Sequence, residues 1–108
     1  MRIYRPLAFA ALAAALIAPA ASADDVGKAA YDKLCASCHG ADGAGSAAMA
    51  KAFGDANLDI TSPQVAAKKD EELVKVIADG KGKMPAAGKS LSPAEQQAVI
   101  AYVRSLAK

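Results

Sequence analysis

The chain has 108 residues, 54% of them hydrophobic, with 13 Lys and Arg against 11 Asp and Glu and a formal charge of +2. That length holds one domain, and so small a net charge speaks against nucleic-acid binding, which wants a strongly basic face. Trp is absent and only 5% of residues are aromatic, so the core of this alanine-rich chain is thin and calls for a filler or a staple.

In chain order, the first segment reads as a leader. Arg2 and Arg5 precede a nearly unbroken apolar run, "LAFAALAAALIA", and "PAASA" closes it with Ala21-Ser22-Ala23. A basic start, a short apolar stretch and small residues at the cut describe a secretory signal peptide over residues 1–23. The run is shorter than the about 20 apolar residues of a membrane-spanning helix. The expectation is therefore a domain over residues 24–108, exported to the periplasm, with no membrane insertion left after cleavage. Without Arg2 and Arg5 its formal charge is zero.

"DDVGKAAYDKLCASC" (24–38) reads as a helix, with Asp24 and Asp25 suiting the positive end of the helix dipole. Gly27, Tyr31 and Cys35 recur every four residues and share a face. "HGADGAGS" (39–46) is rich in turn formers. Residues 47–53 can make a helical turn, and 54–63 read as loop, with Ser62 and Pro63 able to start another turn. Residues 69–80 predict a helix with Asp70 as N-cap, an apolar stripe of Leu73, Val74 and Ile77, and Gly80 as its stop. Glycines and Pro85 argue against a helix over 81–91. "SPAEQQAVIAYVRSLAK" (92–108) is the strongest helix signal, because Ser92, Pro93 and Glu95 make a capping box with proline at the first position. Val99, Tyr102, Val103 and Leu106 share a face. No segment reads as a strand, so the expected class is all-α.

The chemistry concentrates in "CASCH". Cys35 and Cys38 are the only cysteines and His39 the only histidine. Cys-x-x-Cys-His is the attachment pattern of c-type haem, in which two thioethers hold the porphyrin and the histidine faces the iron. Three rivals fit less well. A thioredoxin-like dithiol belongs near βαβ patterns; structural zinc wants four ligands; a disulfide across so short a loop constrains little chain entropy.

One histidine excludes bis-histidine ligation within the chain, leaving Met, Lys, water or nothing opposite His39. With Met1 in the leader, Met49 and Met84 remain. Met49 lies close after His39, whereas Met84 sits beyond a helix, in a loop where a side chain can be aimed freely, next to the stiff Pro85. Methionine usually only packs, but a His/Met pair is a known axial set that raises the potential, and Met84 is the expected sixth ligand. Filled axial positions suit an electron carrier and not a catalyst.

With Gly27 and Tyr31 before the first cysteine, Tyr102 in the last helix, "CHGADGAG" and "GKGKMPA", nearly all of residues 24–108 resembles the class I c-type cytochromes of the small bacterial monohaem kind. The resemblance implies an all-α cytochrome c-like fold of three to four helices around one haem c. The haem would be bound through Cys35 and Cys38 and ligated by His39 and Met84. The first and last helices would cross, with Tyr102 packing near Gly27. Mitochondrial members place a proline carbonyl behind the ligand histidine. Here Pro63 is too distant in sequence to match it, so the acceptor for His39 is unassigned.

The function expected is a soluble, monomeric periplasmic electron carrier, not itself an enzyme, serving redox partners such as a dehydrogenase or a terminal oxidase. The alternative is a haem-based enzyme subunit or gas sensor with an open sixth position. Lys81, Lys83 and Lys89 flank Met84; they either guide docking onto an acidic partner or are a solvated loop.

Overall fold

In a computed structural model, the chain is described over residues 22–54 and 58–107. The expected leader lies almost wholly outside the described residues. Helix α1 (Ala23–Leu34) opens on Ser22, whose hydroxyl accepts from the Asp25 amide at 3.3 Å. The segment read as one helix to residue 38 is instead divided. Cys35 has φ −118°, and a second short helix, α2 (Ala36–His39), carries the rest of the motif. Two further segments follow, α3 (Ala47–Phe53) and α4 (Pro63–Ala66), capped by the side chains of Ser46 and Ser62.

Helix α5 (Asp70–Asp79) stops at Gly80 as expected, but its N-cap is Lys69 and not Asp70. The Asp70 carboxylate is engaged elsewhere, 2.7 Å from Arg104 Nε. The loop after α5 contains a 3-10 helix over Ala87–Ser90, a departure from the all-loop expectation that is possible because it starts beyond the reach of Pro85. Helix α6 (Pro93–Ser105) has the full capping box: Ser92 Oγ accepts from the Glu95 amide, and Glu95 accepts from the Ser92 amide at 2.9 Å. Hydrogen bonds from the Ser92 backbone amide and, second, from its hydroxyl hold the Glu95 carboxyl below its usual range. Among the described residues there is no strand, only an isolated bridge between Lys81 and Met84. No helix among them is long and apolar enough to cross a membrane.

The most extensive helix pairing joins α1 to α6. Gly27 makes it possible: a Cβ there would lie 2.2 Å from the Ala98 carbonyl oxygen and 3.2 Å from Tyr102 Cβ. The two backbones therefore pack with no side chain between them. One turn along, Tyr31 and Tyr102 meet with ring centroids 5.2 Å apart at 55°, a tilted geometry favoured by aromatic quadrupoles. The core gathers Tyr31, Leu73, Ile77, Val99, Ile100 and Val103. Tyr31 is fully buried, and burial pushes its phenol far above the ordinary range. It stays protonated and donates to the Gly40 carbonyl at 2.6 Å.

At the far end of α6, Arg104 closes a corner. Its Nη2 donates to the Lys68 carbonyl at 2.6 Å and its Nη1 to the Ala66 carbonyl at 3.3 Å. Together with the Asp70 contact, these bonds fasten the α4–α5 connection to the last helix. They take up last-turn carbonyls of α4 and its C-terminal flank that would otherwise be left to solvent.

Candidate haem centre

The break at Cys35 sets up the site. The amides of Cys38 and His39 both bond to the Cys35 carbonyl, at 3.2 and 3.0 Å, which coils the motif into a single tight turn. Both thiols are free and half-buried. They line a cleft of about 100 Å³, open to solvent, together with His39, Met84, Pro85, Leu91, Val99 and Ile77. The four residues singled out in the sequence thus meet on one cleft, although Met84 lies beyond α5 in the chain. Met49 is not among the residues lining it. Its amide bonds to Ser46 Oγ in the first turn of α3.

His39 is oriented from behind. Its Nδ1 is 2.8 Å from the Leu58 carbonyl oxygen. A carbonyl only accepts, so Nδ1 carries the proton and Nε2 is left as the free lone pair, the arrangement of a ligand imidazole with its outer partner. The acceptor that the sequence left unassigned is therefore a backbone atom in a segment read only as loop. Leu58 is held there by burial of its side chain. Gly45 lies so close that a Cβ would come within 3.1 Å of Leu58 Cβ. Beside it, the Ile60 amide donates to Gly43 at 2.8 Å, and Asp59 accepts from both the amide and the hydroxyl of Thr61.

Met84 is placed by a tight reversal. Lys81 and Met84 exchange both backbone hydrogen bonds, at 3.1 and 3.0 Å. At its base Gly80 has φ +78°, and a Cβ would stand 2.7 Å from the Met84 carbonyl oxygen. Only glycine meets both conditions. The loop lysines 81, 83 and 89 are exposed, and Lys83 Nζ lies 5.4 Å over the Phe53 ring of α3.

The donor set fits haem c and not the rivals. Among the described residues no group of three or more His, Cys, Asp or Glu could hold a metal ion, which disfavours zinc. Burial, with the neighbouring Cys38, pushes the Cys35 thiol up, the opposite of the depressed thiol of a disulfide exchanger. An apolar cleft with two thiols, one oriented imidazole and one thioether suits a porphyrin anchored at Cys35 and Cys38. When bound, haem c supplies an iron that takes up and gives back one electron. The protein's own contribution is to exclude water with Leu91, Val99 and Ile77 and to keep His39 Nε2 available.

Residues 22–103 match the family model described as "Cytochrome C oxidase, cbb3-type, subunit III". The chain belongs to this family of c-type cytochromes. It is 36% identical over 87 residues to the Cbb3-type cytochrome c oxidase subunit CcoP of Azospirillum brasilense, a match covering 80% of this chain and 29% of that protein. The chain thus spans under a third of the curated relative's length. Family membership establishes a cytochrome c domain with covalently bound haem c, and electron transfer as its chemistry.

Proposed function

We propose that this domain carries one haem c, attached to Cys35 and Cys38 and ligated by His39 and Met84, and relays electrons to an oxidase of the cbb3 type. The observation that carries the proposal is the meeting of these four residues on one apolar cleft, with His39 already in the ligand tautomer. The relative is named as an oxidase subunit, which supports an enzyme-associated relay over the unattached carrier expected from the sequence. Met84 in the cleft speaks against an open sixth position, and so against gas sensing. In this reading the domain passes electrons to the enzyme and does not itself catalyse oxygen reduction. It works on the periplasmic side, where the leader would deliver it.

The test is to make the protein in a host able to attach haem, then purify it and weigh it. A mass increase of one haem with no free thiols is expected, with a low-spin spectrum. The reduced protein, mixed with membranes containing a cbb3-type oxidase, is expected to be oxidised rapidly and to co-fractionate with the enzyme. An unmodified, colourless protein would end the haem reading. A haem protein that the oxidase leaves reduced would end the relay reading alone.

The exposed Lys81, Lys83 and Lys89 give a second measurable expectation. Electrostatic guidance onto an acidic partner falls steeply with ionic strength, over a screening length of about 10 Å at 0.1 M salt. The oxidation rate should therefore drop as salt rises, and a triple Lys→Gln variant should flatten the dependence. A rate indifferent to salt in the unaltered protein assigns these lysines to solvation.

A further inference from the structure

The segment that carries Met84 is gripped at two ends. At the near end Gly80 is pressed against the Met84 carbonyl. At the far end Gly88 is buried against α5, where a Cβ would come within 3.0 Å of Ile77. The Gly88 carbonyl also accepts two hydrogen bonds. One is from the Leu91 amide at 3.1 Å, closing the 3-10 helix. The other is from Gln96 Nε2 on α6, at 3.0 Å. Because a carbonyl only accepts, the Gln96 amide must present its NH2 group there. Gln96 is half-buried and does not line the cleft. Its reach to Gly88 ties the helix packed on α1 to the segment bearing the thioether.

We propose that Gln96 is a positioning residue for the Met84 sulfur. Its side chain holds the 84–88 segment at the cleft, so that a competing ligand must break the Gln96–Gly88 bond to push Met84 aside. The inference rests on Met84 being the axial ligand. Displacing Met84 then requires a shifted segment, and anything that stabilises the seated segment lowers the affinity for the competitor by the same factor. Loss of one neutral hydrogen bond changes that factor by on the order of five-fold.

The test titrates oxidised, haem-loaded protein with imidazole and follows the visible spectrum. Gln96→Leu keeps bulk and removes the donor, and it should bind imidazole about five-fold more tightly than the unaltered protein. Gln96→Glu, which sets an acceptor against the Gly88 carbonyl, should bind more tightly still. Gln96→Lys retains a donor at similar reach and should return to the original affinity. Met84→Ala is the control and should bind most tightly of all. If Met84→Ala opens the iron while Gln96→Leu and Gln96→Glu titrate like the unaltered protein, the positioning role is overturned and the ligand assignment stands. If Met84→Ala itself titrates like the unaltered protein, the ligand assignment fails and the inference fails with it. Failure of Gln96→Lys to restore affinity would assign the effect to packing and overturn the hydrogen bond as its cause. Should Gln96→Leu not fold, equal affinities for the Glu and Lys variants would overturn the positioning role just as well.

Discussion

Met84→Ala is expected to turn a protein that ignores carbon monoxide when reduced into one that binds it stoichiometrically. The thioether is a soft ligand that favours reduced iron, so its removal should also lower the reduction potential and shift the spectrum from low spin towards high spin. The size of the change follows from counting. The chain has one histidine, and Met49 is outside the cleft, so neither can take the position. Unfolding does not explain such a result in advance. Met84 is only half-buried, which limits the packing loss to about 2 kcal/mol, the lower end for a buried methionine. Circular dichroism of the variant should therefore retain its helices while the spectrum changes. A variant that remains low spin and inert to carbon monoxide would show that Met84 only packs.

The second large effect is expected at Gly27, far from any redox chemistry. In an isolated helix, alanine is favoured over glycine by about 1 kcal/mol. Here the added methyl would stand 2.2 Å from the Ala98 carbonyl oxygen, and a backbone oxygen cannot swing aside as a side chain can. Helices α1 and α6 must separate, which loosens the Tyr31–Tyr102 contact and the burial of Val99 and Val103 together. Overpacking of this kind costs about 1–3 kcal/mol or more, so the clash outweighs the propensity gain. Gly27→Ala should lower the denaturant midpoint by the equivalent of about 2 kcal/mol, a large share of the roughly 5–15 kcal/mol that holds a typical domain together. An unchanged or raised midpoint would mean that α1 and α6 do not cross at backbone contact.

The two predictions separate the layers of this protein. The ligand variant should change the colour and keep the fold; the crossing variant should weaken the fold, and the haem environment only as a consequence. Gln96 lies between them, since it joins the crossing helix to the ligand segment.

What can be read from residues alone is whatever depends on neighbours along the chain. The Cys-x-x-Cys-His turn, the Ser92–Glu95 capping box, Pro63 after Ser62 and the stop at Gly80 are all settled within a few residues, and each is where its local chemistry puts it. The placement of Asp70 escapes such a reading for the opposite reason. It is drawn to Arg104, which is distant in sequence. The sequence by itself determined the cofactor chemistry and the helical class, because covalent attachment and capping are short-range. Only the tertiary structure decided that the Leu58 carbonyl backs His39, that Gly80 leaves just enough room for Met84, and that Gln96 reaches Gly88. Two of these are encounters with backbone oxygens, the third a fit against one, and any residue type supplies such an oxygen, so no pattern of side chains announces them.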